Sequence, residues 1–178
     1  MKKQIRLAGT GGQGQILAGI ILAEAAVIHD GLYATQTQSY GPESRGGASR
    51  AEVIISDQPI DYPKVVEADF LLCMSQAAYD RYAEEVTEGG IILVDSTLVH
   101  AESPSDHLIA TPITRMAEEN LGRAIVANVV GLGMLVGVSA AVSEAAARKA
   151  VAHRVPRGTE KLNLRAFDLG FSTATGRG

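Results

Sequence analysis

A run of glycines near the N-terminus is the part of this chain with the clearest chemical potential. The strand-like residues 2–8 lead into Gly9-Thr10-Gly11-Gly12-Gln13-Gly14, and the apolar, alanine-rich residues 16–28 follow as a predicted helix. A glycine loop at this position leaves N–H groups unpaired at the helix N-terminus, where they and the helix dipole favour an anion. The spacing matches the GxGxxG pattern of dinucleotide-binding loops. We expect the following residues to form a binding loop: Gly9, Gly11, Gly12, Gln13 and Gly14.

Binding of a nicotinamide or flavin dinucleotide requires a second sequence feature besides the glycine loop. An acidic side chain at the end of the next strand must hold the ribose hydroxyls. The next predicted strand, residues 32–38, ends in amides and hydroxyls, and Asp30 precedes it, at the wrong end of the sheet. This pattern argues against an NAD-dependent oxidoreductase. The alternative to any binding role is that the glycines only allow the helix to pack closely on the strand.

The second candidate region is a long loop over residues 39–49. Long loops inside a compact domain are often functional. Arg45 and the hydroxyls of Ser39 and Tyr40 can hydrogen bond to a phosphate or to a partner carbonyl, and Gly46 and Gly47 allow close approach of another backbone. Because ligands bind beyond the carboxyl ends of parallel strands, we expect both loops to meet there. Alternatively, this loop simply covers an edge of the sheet.

The elements that must position these loops read as an α/β domain. Apolar strands alternate with helices, which predicts a single three-layer, Rossmann-like domain over residues 1–178 with a mostly parallel sheet. The prediction includes a helical turn at 65–68, a helix from Ser75 closed by Gly89-Gly90, and helices near 127–139 and 143–154. Asp95 is expected to cap a turn. Asn128 is expected to cap the start of its apolar helix, the alternative being that it faces a partner subunit. Residues 171–178 are expected to form a mobile tail.

Composition excludes several classes of protein. The 178 residues carry a net charge of −4 without a basic stripe, so nucleic acid is not an expected partner. Cys73 is the only cysteine, and one cysteine cannot build an iron–sulfur cluster. The histidines lack metal-ligand spacing, and the apolar residues 124–142 contain Asn128 and glycines, which favours a core helix over a membrane span. A strand begins within a few residues of the N-terminus, which leaves no signal peptide and favours the cytoplasm.

Taken in order, the motifs resemble one known family. The glycine loop, followed by Thr37-Gln38-Ser39-Tyr40-Gly41-Pro42-Glu43-Ser44-Arg45-Gly46-Gly47-Ala48-Ser49, closely resembles the gamma subunit of 2-oxoacid:ferredoxin oxidoreductases. Later segments agree in the same order, among them Pro59-Ile60-Asp61-Tyr62-Pro63, Ala127-Asn128-Val129-Val130-Gly131 and Asn163-Leu164-Arg165-Ala166-Phe167. Within the family, the second loop is similar to the 2-oxoglutarate type rather than to the pyruvate or indolepyruvate type.

The resemblance implies a role inside a larger enzyme. The family converts a 2-oxoacid and coenzyme A to an acyl-CoA and CO2 with reduction of ferredoxin, using thiamine diphosphate, Mg2+ and iron–sulfur clusters. Those cofactors would come from alpha and beta subunits, with a delta, ferredoxin-like subunit as a further partner. This chain alone is expected to be inactive, to have no catalytic residue, and to support the active site while helping to bind coenzyme A. The alternatives are a purely structural interaction subunit or a gamma subunit for another 2-oxoacid, such as pyruvate or a branched-chain oxoacid.

Overall fold

The computed structural model describes residues 1–39, 48–102 and 107–177, which form a sheet with helices on both faces. The strands are β1 (Lys2–Thr10), β2 (Tyr33–Ser39), β3 (Ala48–Ser56), β4 (Ala68–Cys73), β5 (Val86–Asp95) and β6 (Leu108–Thr111). The helices are α1 (Gln15–Glu24), α2 (Gln76–Tyr82), α3 (Ile113–Leu121), α4 (Ala127–Ser139), α5 (Glu144–Arg154) and α6 (Glu160–Thr175). A π-helical turn (Ala25–His29) continues α1, and a 3-10 turn (Ala124–Val126) precedes α4.

The sheet has the order β2-β3-β1-β4-β5-β6 and is mostly parallel, as predicted. β1, β4, β5 and β6 pair in parallel, whereas β3 runs antiparallel to both of its neighbours, β1 and β2. The expected alternation of strands and helices is therefore wrong between residues 33 and 73. β2 and β3 pair directly, and β3 reaches β4 through residues 57–67, which contain Pro59 and Pro63 and no helix. The predicted helical turn at 65–68 is replaced by a bend at residues 66–67 that leads into β4.

Alternate side chains of the strands supply two separate cores. Ile5, Leu7 and Leu72 pack with the larger group of helices on one face, in a cluster that includes α1, α4 and α6. Ala8 and Leu71 point to the opposite face, where they pack with residues of α2. Because successive strand side chains point in opposite directions, both faces of the sheet are apolar and both are covered by helices. This is the predicted three-layer arrangement.

Two glycines let α4 and α6 lie against each other on the thicker side of the sheet. A Cβ at Gly133 would collide with the carbonyl oxygen of Phe167, and a Cβ at Gly170 would collide with that of Val130. α6 continues through Thr175, and the rings of Phe167 and Phe171 stack with their centres 5.8 Å apart. The expected mobile tail therefore begins too early, because residues 171–175 form the last turns of a packed helix.

The pair Gly89-Gly90 lies within β5 rather than at the end of a helix, which corrects a second prediction. α2 ends at Tyr82, and β5 begins at Val86. The pairing of β4 with β5 shifts register between Ala68 and Phe70, and a Cβ at Gly90 would lie 3.0 Å from the carbonyl oxygen of Asp69. Glycine is thus required by close strand packing at an irregular point of the sheet. Within the described ranges, no helix combines the length and apolar character needed to cross a bilayer.

Candidate functional site

The glycine loop lies between β1 and α1, where it exposes backbone N–H groups. Gly12 and Gly14 adopt φ angles of 86° and 76°, which L side chains disfavour, and Gly14 caps α1 without help from a side chain. In the described part of the chain, the N–H groups of Gly12 and Gly14 have no hydrogen-bond acceptor. The loop thus presents unpaired donors beside the positive end of a helix dipole, an arrangement that suits an anion.

Gln13 shapes this loop through both ends of its side-chain amide. Its Oε1 accepts a hydrogen bond from the N–H of Thr10 at 2.7 Å, and its Nε2 donates to the carbonyl of Met74, just beyond β4, at 2.8 Å. A Cβ at Gly9 would collide with Gln13 Oε1, so glycine is needed where the amide folds back over β1. The structure brings Gly9 and Gln13 into the predicted loop, but their contacts hold the loop in shape.

The second predicted loop leaves the sheet at the same edge. Gly9 pairs with Ser49 and Thr10 with Ala48 across β1 and β3, while Ser39 pairs with Arg50 across β2 and β3. Ser49 Oγ also donates to the carbonyl oxygen of Gly9 at 3.2 Å. The Ser49 end of the second loop therefore lies beside the start of the glycine loop, and the Ser39 end lies one strand further along the same edge of the sheet. Four other predicted site residues lie outside the described residues: Tyr40, Arg45, Gly46 and Gly47.

A cavity of about 330 Å³ adjoins the glycine loop. Gly12, Gln13 and Gly14 line one part of it, and the remaining lining comes from three segments that sequence reasoning did not assign to a site. These residues are Leu17, Arg123, Ile125, Val126, Asn128, Val155, Pro156, Thr159, Leu162 and Asn163. Arg123 is exposed and forms no ion pair within the described ranges, so its charge is available at this cavity. No local pattern around Arg123 marks it as a site residue; the fold alone brings it to the loop.

Asn128 connects α4 to the glycine loop. Its Nδ2 donates to the carbonyl oxygen of Gly14 at 3.1 Å, and Val126 occupies the N-cap position of α4. The predicted capping role of Asn128 is therefore wrong, because the residue lies inside the helix and its amide is directed at a neighbouring loop. This tie holds the first turn of α4 against the first turn of α1.

An apolar rim lies on the other side of the glycine loop. A second cavity of about 240 Å³ shares Gly12, Gln13 and Asn128 with the first and is also lined by Leu98 and Ile125. Ile125 is 79% exposed and Leu98 is 44% exposed. Two large apolar side chains in water beside a polar loop are typical of a surface that another molecule covers.

Asp95 and Cys73 occupy the ends of neighbouring strands but are structural. Asp95 is fully buried and accepts hydrogen bonds from the N–H groups of Thr97 and Thr114, so it caps the predicted turn and also the start of α3. Burial raises the pKa of the Cys73 thiol to about 12, with Arg6 opposing the rise. Cys73 is therefore a protonated core residue at neutral pH, unsuited to be a nucleophile or a metal ligand. Within the described ranges, no group of three acidic, histidine or cysteine side chains is placed to hold a metal ion.

Comparison with known proteins identifies the family of this chain. Residues 4–173 match the pyruvate ferredoxin/flavodoxin oxidoreductase family. The chain belongs to this family. It is 50% identical over 177 residues to the 2-oxoglutarate synthase subunit KorC of Methanocaldococcus jannaschii, covering 98% of this chain and 95% of the relative. It is 35% identical over 144 residues to the pyruvate synthase subunit PorC of Methanothermobacter marburgensis, covering 79% of each chain.

A solved structure in the family has the same fold. The gamma subunit of keto/oxoacid ferredoxin oxidoreductase from Geobacter sulfurreducens superimposes with a TM-score of 0.87 at 48% identity, covering 98% of this chain and 99% of that one. The resemblance inferred from the motifs is therefore confirmed, and it extends over almost the whole length of both chains.

Proposed function

We propose that this chain is the gamma subunit of a 2-oxoglutarate:ferredoxin oxidoreductase, which forms succinyl-CoA, CO2 and reduced ferredoxin. The observation that carries this proposal is the 50% sequence identity to a 2-oxoglutarate synthase subunit over 177 residues. The identity to a pyruvate synthase subunit is 35% over 144 residues. The residues of the second loop agree with this choice, since Tyr40 and Ser44 are typical of the 2-oxoglutarate type.

In this proposal the chemistry is divided among the subunits. Thiamine diphosphate, Mg2+ and iron–sulfur clusters, bound by alpha, beta and ferredoxin-like delta subunits, supply decarboxylation and electron transfer. This chain has one cysteine, which is buried and protonated. Its own contribution is to cover the active site with the edge of its sheet and to help hold coenzyme A.

Co-purification of the native complex followed by assay tests the substrate and the partners together. The complex is expected to contain the catalytic subunits and to reduce ferredoxin in a reaction that depends on coenzyme A. We expect kcat/KM for 2-oxoglutarate to exceed that for pyruvate and for 2-oxoisovalerate by at least about tenfold, a difference of about 1.4 kcal/mol in transition-state stabilisation. A higher kcat/KM for pyruvate or for the branched-chain oxoacid would contradict 2-oxoglutarate as the substrate.

The glycine loop is the part of this chain that best suits the phosphates of coenzyme A. Among the described residues, the N–H groups of Gly12 and Gly14 and the guanidinium of Arg123 have no partner, and all three residues line the same cavity. Arg45 of the second loop remains a predicted phosphate partner. Residues 36–39 at the end of β2 include no acidic residue, and the Glu52 carboxylate beside Thr37 is paired with Arg6. This agrees with the proposed ligand, because a free carboxylate there would repel a phosphorylated ribose.

A charge placed at Gly11 tests coenzyme A binding with little disturbance of the fold. A Cβ at Gly11 meets no atom within 4 Å, and the residue lacks the positive φ of Gly12 and Gly14. Gly11→Asp brings a negative charge to the loop, whereas Gly11→Asn adds a side chain of the same size without charge. By isothermal titration into the assembled complex, we expect the Asp variant to bind coenzyme A at least about tenfold more weakly than the Asn variant. Equal affinities would exclude the loop as a phosphate site.

The exposed Leu98 and Ile125 support a second candidate, in which the chain is a structural subunit that binds no small molecule. In that case the glycine loop packs against a catalytic subunit. Arg45→Ala would then weaken assembly of the complex, as measured by analytical ultracentrifugation, and leave the coenzyme A dependence of the intact enzyme unchanged. The Gly11 pair would show the same affinity in that case, which separates the two candidates.

A further inference from the structure

Positive charge is concentrated in the last two helices of the chain. Residues 144–177, which include α5 and α6, contain seven of the 16 Lys and Arg residues and only three of the 20 Asp and Glu residues. This stretch therefore carries a net charge of +4, whereas residues 1–143 carry −8. Such a charge asymmetry bears on what the chain attracts rather than on its fold.

The solvent side of α5 and α6 carries this positive charge. The two helices run antiparallel, because Arg148 of α5 pairs with Asp168 of α6 and Glu144 pairs with Arg177. Their buried residues lie on the inner sides: Ala146, Ala147, Ala150 and Val151 in α5, and Asn163, Ala166, Phe167 and Gly170 in α6. Four basic side chains of the stretch are exposed and form no ion pair within the described ranges: Lys149, Arg157, Lys161 and Arg165. We call these four residues the basic face.

The acidic side chains around α5 and α6 are engaged within the chain. Glu144 and Asp168 form the ion pairs between the two helices, and Glu160 accepts a hydrogen bond from the N–H of Gly158 at 2.8 Å. Glu24 of α1 is bound to two further basic side chains of α5. The four charges of the basic face therefore keep no counter-charge in the described part of the chain.

The positions of these charges do not stabilise α6. Arg157 precedes the helix and Lys161 is its second residue, although the helix dipole favours negative charge at an N-terminus. Lys161 and Arg165 are four residues apart, a spacing at which like charges on a helix surface repel each other. A charge pattern that opposes its own helix indicates that its benefit comes from a partner of opposite charge.

The composition of the basic face narrows the class of partner. None of the large apolar side chains that the structure shows exposed belongs to residues 144–177. The basic face therefore lacks both the apolar centre of a permanent subunit interface and the apolar anchors of a membrane-binding helix. Nucleic acid is disfavoured, because the other residues carry a net charge of −8. A charged face without an apolar centre suits a protein that is steered electrostatically and binds reversibly.

We propose that the basic face is a reversible docking surface for an acidic electron-carrier protein, whose carboxylates pair with Lys149, Arg157, Lys161 and Arg165. The inference rests on the proposed function, in which ferredoxin is the protein that must arrive and leave repeatedly during turnover. No residue of the basic face lines the cavity beside the glycine loop. Docking of the carrier is thus a second role of this chain, separate from the binding of coenzyme A.

Kinetics of the assembled complex with a ferredoxin of negative net charge test the proposal. Lys161→Glu reverses one charge of the basic face, and the double variant adds Arg165→Glu. Lys64→Glu is the matched control, since Lys64 is exposed, has no ion pair among the described residues and lies in the segment before β4. At about 50 mM NaCl we expect KM for ferredoxin to rise at least about threefold in the single variant and about tenfold in the double variant, with kcat unchanged. The control should change KM by less than about 1.5-fold.

Salt and a non-protein acceptor separate docking from other effects. At about 500 mM NaCl the differences in KM should disappear, because salt screens exposed charges. Methyl viologen replaces ferredoxin without a docking surface, so its reduction should proceed at the same rate in all variants. Loss of that reaction in the double variant would show that the basic face holds this subunit in the complex, and would overturn the proposal. Equal KM values for ferredoxin in the wild type and the double variant would overturn it as well.

The outcomes are distinguishable from those of the substrate assay. A complex that oxidises 2-oxoglutarate but shows the same KM for ferredoxin in the double variant retains the proposed function and loses this inference. A complex that acts on another oxoacid and shows the salt-dependent rise in KM does the reverse. Binding of the complex to duplex DNA or to phosphatidylglycerol vesicles, abolished in the double variant while KM for ferredoxin is unchanged, would assign the basic face to that polyanion instead and overturn the proposal.

Discussion

Two polar regions of this chain differ in whether the chain satisfies its own polar groups. On the face of the sheet that carries α2, Arg6 is 2% exposed and pairs with Glu52 and Glu85, each at 2.8 Å. Its guanidinium also lies 5.0 Å from the ring centre of Tyr82. Beside the glycine loop, by contrast, the N–H groups of Gly12 and Gly14 have no partner among the described residues. The first region satisfies its charged groups within the subunit, whereas the second leaves N–H donors without a partner among the described residues.

Strong charges do not by themselves mark a functional site in this chain. Arg6 and Glu52 are both charged and are only 2% and 7% exposed, yet they are bonded to each other within this chain. Paired buried charges contribute to a unique fold and are costly to separate. Unpaired donors and acceptors at an open cavity keep their capacity for a second molecule. Substitutions in the first region should therefore change stability, and those in the second should change binding.

The largest expected effect is on Arg6. Arg6→Met leaves the carboxylate of Glu52, which is 7% exposed, without its main partner. We expect the free energy of unfolding to fall by about 3–5 kcal/mol, measured by urea denaturation. The double variant Arg6→Met with Glu52→Leu removes both charges and should recover most of that loss. A loss below about 1 kcal/mol in the single variant would contradict the view that this cluster is structural.

The next largest effect separates Gly14, which is packed against Asn128, from Gly12, which has space beside it. Gly12 and Gly14 both have positive φ angles, so alanine at either position is strained by about 1 kcal/mol. At Gly12 the new methyl group meets no atom within 4 Å, whereas at Gly14 it would collide with the side chain of Asn128. In urea denaturation, Gly14→Ala is therefore expected to cost about 1–2 kcal/mol more than Gly12→Ala. Equal losses would mean that the contact with Asn128 relaxes without cost.

The smallest effect concerns a second internally paired cluster, at Glu24. Burial raises the pKa of this carboxyl, but hydrogen bonds from Arg154 and His153 outweigh it and hold the pKa below the ordinary value of 4.5. A carboxyl with a lowered pKa in the folded state stabilises the protein above its unfolded pKa, and this stabilisation is lost as the pH falls through the lowered value. We expect Tm to fall as the pH drops below 4.5, and Glu24→Gln to reduce the slope.

The control for that measurement is Glu67→Gln. Glu67 is exposed and has no hydrogen bond or ion pair within the described ranges, so its loss should leave the slope of Tm against pH unchanged. An identical acid response of the wild type and the Glu24→Gln variant would show that other carboxyls govern the acid sensitivity of the fold.

Much of the fold could be predicted because local patterns agree with it. The helices at 127–139 and near 143–154 match α4 and α5, since the break between them is local: Ala140 ends α4 and the Ser143 side chain caps α5. The sequence does not reveal the role of Gly89-Gly90, because glycine is common both at helix ends and in crowded strands. The close approach of Gly90 to the Asp69 backbone shows that the pair lies in a crowded strand. The direction of β3 also escaped prediction, since strand apolarity does not encode parallel or antiparallel pairing.

The candidate site divides in the same way. The glycine loop was predictable because the order of strand, loop and helix is local, and the placement of Ser39 at the same edge of the sheet followed from the general rule for parallel sheets. Arg123 and Asn128 lie in the segment that precedes and begins α4, and Asn163 lies in α6, both far from the glycine loop along the chain. Nothing in their local sequence distinguishes a capping asparagine from one that ties α4 to Gly14.

The sequence by itself determined the family, the α/β class and the anion-favouring loop at Gly9–Gly14, because each depends on residues that are close together along the chain. Only the tertiary structure decided that Gln13 closes that loop and that Asn128 holds it against α4. The physical reason is that a hydrogen bond between distant residues depends on their positions in space, which the periodicity of a segment does not specify.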